Sequence, residues 1–338
     1  MMSLVAKLKL ENGTWMHELK ITMLGPSGVG KTSLLTAVYE QFESNIGRTN
    51  LQLTPDLESS ALLQERLAEL KSLPDSLETK GWIAYTQEER SFLFELGKKA
   101  ATPSLLIHFK DYPGEWHESK REKSREEKER IESFIKESVA VIIAIDTPAL
   151  MEKNGQWHDE TNKPQQITNL FQRVYRELDS PRLVIFAPVR CEKYLQSEES
   201  VFELLRRVQD GYTSLFNLLS SDELLPQVAV VVTPVQTVGC MVFSRIEIHD
   251  GKPLFIFRKT RHDAQYSPKD SEQPLRYLLR FLLRLHLERQ NWGFFNFIRS
   301  WLGLDSHLKN AITEFAKGCK TSGGFAVLQG EKWLDIGA

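Results

Sequence analysis

The run LGPSGVGKTSLL, from Leu24 to Leu35, decides how this chain is read. Gly25, Gly28, Gly30, Lys31 and Thr32 fit the spacing G-x-x-x-x-G-K-[ST] in full. The flanks fit too. HELKITML, His17 to Leu24, is a strand candidate, and TSLLTAVYEQF, Thr32 to Phe42, has helical spacing. Glycines let such a loop turn so that its N–H groups face inward as an anion nest. A helix starting near Lys31 aims its positive dipole end at the same point. Gly25, Pro26, Ser27, Gly28, Val29, Gly30, Lys31, Thr32 and Ser33 therefore form the candidate cradle for a phosphate chain. Lys31 is expected to bridge the β- and γ-phosphates, and the Thr32 hydroxyl to be a magnesium ligand.

IHFKDYPGEW supplies the second element. Asp111 ends an apolar strand and opens D-x-x-G, closing at Gly114. An aspartate there can hold magnesium through a water, and the Gly114 N–H can sense a γ-phosphate. Further on the chain alternates: VAVIIAID strand, QQITNLFQRVYREL helix, RLVIFAPV strand, VFELLRRVQDGYTSLFNLL helix, QVAVVVTPV strand. That alternation implies parallel pairing with right-handed crossovers. RSFLFELG and PSLLIHFKDY read as an antiparallel pair. MVFSRIEIHDGKPLFIFRK reads as a hairpin turning at Asp250-Gly251. His117 to Ser138, dense in both charge signs, reads as a solvated helix.

Composition narrows the rest. The chain has 338 residues, and at roughly 150 residues per domain it holds two domains or one with large insertions. A 41% hydrophobic content supports a proper core, and a net charge of −2 gives no overall basic field for nucleic acid or an acidic membrane. Cys191, Cys240 and Cys319 lie far apart and form no CxxC pair, which argues against a disulfide framework or structural zinc. No apolar run approaches the ~20 residues of a spanning helix, and no signal peptide opens the chain, so a cytoplasmic protein is expected.

GPSGVGKTSLL followed by DYPGE resembles the translation-factor and Ras-like (TRAFAC) class of GTPases, and the loop is especially Rab-like. The resemblance implies an α/β P-loop NTPase with a six-stranded, mostly parallel sheet, helices on both faces and one antiparallel strand. It implies a switch domain over residues 1–290, with insertions at about 43–90 (helical, in the first switch region) and 238–262 (the hairpin). Residues 291–338 are left as an aromatic-rich extension packed on that domain. GTP or GDP and Mg2+ are the implied ligands, with a protein effector or activator reading the switches and a nucleotide-dependent dimer as one form. In that class a glutamine after D-x-x-G orients water; Glu115 stands there, and its carboxylate repels phosphate oxygens. Slow intrinsic turnover or activation by a partner follows. Lys31, Gly114 and Glu115 are the implied catalytic set. Thr86 is the candidate switch threonine on magnesium beside Thr32 and Asp111, with Thr79 behind it. No arginine finger is assignable.

The class reads guanine with N-K-x-D after the fifth strand. Here PVRCEKY, Pro188 to Tyr194, stands in that place. Val189 falls on the asparagine, Arg190 on the lysine and Glu192 on the aspartate. Glu192 can accept from guanine N1–H and the 2-amino group, and the Arg190 stem can cover the base. The asparagine's support of the phosphate loop is missing. TPVQTVG, Thr233 to Gly239, replaces the loop whose backbone N–H meets guanine O6; Pro234 cannot donate, leaving Val235 or Gln236. This pair of loops is similar to that of bacterial double-GTPase-type proteins, encoded in multi-gene conflict or signalling systems. Two alternatives stay open: an ATPase or nucleotide kinase, from the imperfect base-reading motif, and a nucleotide-holding scaffold without turnover, from Glu115. The tail aromatics Trp292, Phe294, Phe295, Phe297 and Trp301 are expected to pack the last helix rather than bind a membrane. The arginines of LRYLLRFLLRLHLER fall on more than one face, as in a core helix with snorkelling side chains.

Overall fold

Residues 7–9, 15–45, 50–78, 89–99, 101, 103, 105–112, 125–288 and 306–337 are described by the computed structural model of the chain. In chain order its strands are β1 (Lys7–Lys9), β2 (Trp15–Leu24), β3 (Leu51–Pro55), β4 (Ser76–Glu78), β5 (Arg90–Lys98), β6 (Leu105–Asp111), β7 (Ala140–Asp146), β8 (Arg182–Val189), β9 (Val228–Val232), β10 (Met241–His249), β11 (Lys252–Lys259) and β12 (Ala326–Gln329). The helices are α1 (Lys31–Asn45), α2 (Leu57–Lys71), α3 (Arg125–Glu137), α4 (Thr147–Met151), α5 (His158–Asn162), α6 (Pro164–Val174), α7 (Glu198–Gly211), α8 (Thr213–Leu219), α9 (Gln273–Leu287) and α10 (Ser306–Lys317). None of them is long and apolar enough to cross a membrane.

β7 shows why the sheet forms. All seven of its residues are buried. Ala140, Ile142 and Ala144 face one core, while Val141, Ile143 and Ile145 face the other. A strand apolar on both sides belongs in the middle of a sheet covered on both faces. Residues of α1, α9 and α10 pack on the first face, and residues of α3, α6, α7 and α8 on the second. Each buried Ile or Leu contributes about 1.5–3 kcal/mol.

The main sheet runs β12-β9-β8-β7-β2-β6-β5-β3, with β1 beside β2. Its middle six strands, β5 to β9 with β2, are the expected six. β6, β2, β7, β8 and β9 are parallel, and β5 is the antiparallel one. The sheet is wider than the expected six because β3, β12 and β1 add antiparallel strands. β12 comes from the C-terminal segment, so residues after 305 contribute to the sheet as well as packing on it.

The 43–90 segment is not only helical. It supplies β3, α2 and β4, and β4 pairs with β11 to make a second, three-stranded sheet with the hairpin. The hairpin turns at Asp250 and Gly251, whose φ values of 49° and 75° suit a tight two-residue turn. Phe243, Phe255 and Phe257 of that sheet pack with Leu73 and Met241 into a small core. α7 and α8, expected as one helix, break at Tyr212. Gly211 packs tightly on α5 there: a side chain on it would come within 2.7 Å of His158 Nε2, which bonds the Gly211 carbonyl at 3.1 Å.

Two of the α9 arginines, Arg276 and Arg280, reach backbone carbonyls rather than solvent. Arg276 donates to the Phe315 carbonyl and lies 4.1 Å from that ring's centre. Arg280 donates to the Leu334 carbonyl. They tie α9 to the end of α10 and to the tail, with the Phe315 carbonyl also accepting from the Gly318 N–H at 3.2 Å. The tail aromatics from Trp292 to Trp301 lie outside the described residues.

Candidate nucleotide site

The loop between β2 and α1 is shaped by its glycines. Gly25 (φ 141°), Gly28 (φ 72°) and Gly30 (φ 104°) all take positive φ. Gly25 has no room either: an added Cβ would meet the Ala144 carbonyl oxygen of β7 at 2.5 Å. Parallel register sets Asp111, the last residue of β6, beside Met23 of β2. That pairing brings the second motif to the first.

Lys31, Thr32 and Asp111 meet there, 6%, 5% and 1% exposed. Thr32 Oγ1 donates to Asp111 Oδ2 at 3.1 Å. Lys31 Nζ lies 3.5 Å from Asp111 Oδ1 and donates to the carbonyls of Gly25 and Pro26 at 3.1 and 3.2 Å. Burial raises the Asp111 carboxyl pKa, opposed by the Lys31 charge and the Thr32 hydrogen bond. Asp111 Oδ1 is buried without a hydrogen-bond donor. A carboxylate oxygen that accepts no hydrogen bond, with the Lys31 ammonium 3.5 Å away and a threonine hydroxyl beside it at a helix N-terminus, fits a small hard cation. Magnesium takes few protein ligands and fills its shell with water and phosphate oxygens.

Arg190 directly follows β8 and takes a left-handed φ of 59°. Its guanidinium donates to Asp146 Oδ2 at 2.5 Å and to the Gly28 carbonyl. The loop is thus supported from the base-reading side, by an arginine rather than by the missing asparagine. Asp146 is fixed in turn: its Oδ1 accepts from Ala149 N–H at 3.0 Å, and its backbone N–H and carbonyl bond Asn162. Replacing Arg190 by Ala is expected to weaken nucleotide binding about tenfold or more, because a buried partner charge is stranded and the loop loses its tie. Lys at 190 should rescue little, since it lacks the fork that reaches two acceptors. Equilibrium titration of both variants measures this.

Glu192 is 9% exposed. Its Oε1 accepts from the Gly239 N–H at 3.2 Å. Burial pushes its carboxyl up to about 6, opposed by backbone N–H groups and by Arg190. The native state therefore binds this proton more tightly than the unfolded chain. Stability from it is greatest at low pH and is lost as pH rises through about 4.5 to 6, about 2 kcal/mol in all.

The amides expected to meet guanine O6 are corrected by the backbone. Val235 N–H bonds the Pro188 carbonyl at 2.8 Å, and Gln236 N–H bonds the Lys269 carbonyl at 3.2 Å. Val235 is fully buried. Neither residue lines the cleft; Thr237 and Val238 do. Gly25 and Pro26 also stay off the lining, with their carbonyls on Lys31, whereas Ser27 to Ser33 all face the cleft. Gly114, Glu115 and Thr86 lie outside the described residues.

One cleft joins these parts. It is shared by the phosphate loop, Asp111, Arg190 and Glu192. Its far wall carries Leu73 and Leu77 from the 43–90 segment and Met241 and Phe257 from the hairpin sheet. The Arg190 guanidinium sits 5.4 Å from the Phe257 ring centre. Sequence reasoning missed Phe257, Thr237 and Val238. Only the docking of the hairpin brings them here, and no local motif encodes that.

A family model described as Double-GTPase 2 matches residues 20–222, more than half of the chain. The chain belongs to the Double-GTPase 2 family. It is a TRAFAC-type P-loop protein, and the match spans the phosphate loop, Asp111 and the base-reading loop of this Double-GTPase 2 member. No curated protein matches it. Two solved structures are similar, both of the GTPase-like domain of Ski7 from S. cerevisiae. One, bound to GTP, is 11% identical with a TM-score of 0.37, over 64% of this chain and 42% of that one. The other, bound to GDP and inorganic phosphate, is 12% identical with the same TM-score, over 64% and 43%. This Double-GTPase 2 chain spans less than half the length of those two.

Proposed function

We propose that this chain binds GTP with magnesium, hydrolyses it and signals the difference to a partner protein. The observation that carries this reading is the cluster of Lys31, Thr32 and Asp111 at the start of α1, in one cleft with Arg190 and Glu192. Family membership supports it.

The division of labour follows from the side chains. The amides of the loop and the N-terminus of α1 hold the phosphates. Lys31 places an ammonium on the β- and γ-phosphates, exchanging two loop carbonyls for phosphate oxygens. Thr32 and Asp111 would hold magnesium, which when bound supplies charge neutralisation between those phosphates. Glu192, ionised, accepts from guanine N1–H and the 2-amino group. Thr237 or Val238 takes the place that Val235 and Gln236 cannot fill at O6. Glu115 and Gly114 remain proposed as the water-facing pair, and Thr86 as the switch ligand. The readout is order and disorder of the two switches, within a bacterial multi-gene signalling system of the kind the family likeness suggests.

Labelled GTP and ATP, each titrated with magnesium against the purified protein, test the nucleotide. GTP is expected to bind at least about tenfold tighter than ATP, since adenine presents an acceptor where Glu192 needs a donor. Tighter ATP binding contradicts the proposal. The Glu192→Gln variant adds a pH signature. Guanine affinity of the wild type should fall toward pH 5 as Glu192 takes a proton, about tenfold per unit at the limit. The variant should bind guanine weakly at every pH and unfold later at pH 7, by up to about 2 kcal/mol. Equal pH profiles for the two proteins would remove Glu192 from base reading.

A further inference from the structure

Among the described residues three cations line the cleft: Lys31, Arg190 and Arg66. Lys31 and Arg190 are already tied to carbonyls of the phosphate loop. Arg66 arrives from elsewhere. It lies midway along α2, in the segment between the phosphate helix and β5, and is only 6% exposed. A helix arginine on a surface usually covers apolar neighbours and keeps its head in water. Here Arg66 lines the same cleft as Gly28, Lys31 and Thr32.

α2 presents Arg66 rigidly. Leu63 and Leu70, about one turn to either side, are each 1% exposed. Asp56 caps the helix by accepting from Ser59 N–H at 2.8 Å, and Ser59 Oγ accepts from Leu93 N–H of β5 at 2.9 Å. At the other end Lys71 pairs with Glu40 of α1 at 3.0 Å. The helix is thus fastened both to the sheet and to the helix that starts at the phosphate loop. Glu69 Oε2, on the next turn, sits 2.7 Å from Arg66 Nη1 and sets the guanidinium. A guanidinium fixed on a regular element, in a site with an anion nest, matches phosphate oxygens in shape and charge.

We propose that Arg66 is a built-in arginine finger, brought in cis by the 43–90 segment to the triphosphate. This rests on the GTP hydrolysis proposed above. In that reaction a water oxygen bonds to the γ-phosphorus while the bond to the β–γ bridging oxygen breaks. Negative charge moves toward the β-phosphate, and the products are GDP, inorganic phosphate and one proton. Arg66 meets the oxygens on which that charge grows, so its contact strengthens in the transition state. Turnover then needs no arginine from a partner, in contrast to the slow intrinsic rate that Glu115 alone suggests.

Single-turnover hydrolysis of labelled GTP by wild type, Arg66→Ala and Arg66→Lys tests this, with GDP–aluminium fluoride binding and thermal midpoints on the same proteins. Arg66→Ala is expected to hydrolyse about 10³-fold more slowly. Its GTP affinity should stay within about tenfold of wild type, while binding of GDP–aluminium fluoride is lost and that of GDP alone is kept. Arg66→Lys should recover little of the rate. A variant rate within about threefold of wild type overturns the proposal. So does a loss of GDP and GTP binding in parallel with a fallen midpoint, which marks a structural arginine. Wild-type protein that binds no GTP overturns the underlying reading too, and shows it before any variant is made.

Discussion

Lys31→Ala weakens GTP binding by roughly 10²–10³-fold, the scale expected when one partner of a buried charge-assisted contact is removed. The ammonium lies on the loop, 3.1 and 3.2 Å from the Gly25 and Pro26 carbonyls, and is 6% exposed. Among the described residues no other lysine lines the cleft. The variant also takes a positive charge from Asp111, 3.5 Å away. The Asp111 carboxyl is already raised by burial. Losing Lys31 raises it further, so the native state holds that proton over a wider pH range, and stability falls as pH rises through it. Lys31→Met, which keeps the apolar stem, should lose the same affinity with a smaller change in midpoint. Calorimetric titration with GTP at neutral pH measures both variants. Affinity within about threefold of wild type would mean the phosphates lie elsewhere.

Gly25→Ala is expected to destabilise the fold by about 3–5 kcal/mol. Two costs add. A φ of 141° strains any residue with a Cβ, and that Cβ would sit 2.5 Å from the Ala144 carbonyl oxygen. The oxygen belongs to β7, buried on both faces between β2 and β8, so it has nowhere to move. The total is a large share of an ordinary stability of about 5–15 kcal/mol. Gly251→Ala is the control. Its φ of 75° is strained too, but nothing lies within 4 Å of an added Cβ, so about 1 kcal/mol is expected. Thermal unfolding should show Gly25→Ala melting about 10 °C lower than wild type, with Gly251→Ala close to it. Equal midpoints for the two variants would mean that the approach of β2 to β7 is looser than described.

The parts of this fold written locally were legible. The phosphate loop carries its glycines, lysine and threonine in one run. β7 reads as a doubly buried strand because every residue from Ala140 to Ile145 is apolar. The Asp250-Gly251 turn announces its hairpin. The parts that depend on distant pairing were not. β12 has four residues, all half-buried, and β4 has three, two of them exposed, too short for a period to show. Their pairing with β9 and β11 ties the C-terminal segment and the 43–90 segment into sheets that local pattern leaves apart. The same holds at the site. Motif position put Arg190 and Glu192 together, but the tie from Arg190 to Gly28 depends on a left-handed backbone at 190 that no motif states. Val235 and Gln236 were chosen because Pro234 lacks an N–H. Strand bridges then took both of their amides.

A crystal structure of the chain with magnesium and a non-hydrolysable GTP analogue tests the central claim most directly. Phosphate oxygens are expected within about 3 Å of Lys31 Nζ and of the amides from Gly28 to Thr32, with the Thr32 hydroxyl on the metal and Glu192 on the guanine edge. Nucleotide density outside this cleft, or those amides turned away from the phosphates, would contradict the account.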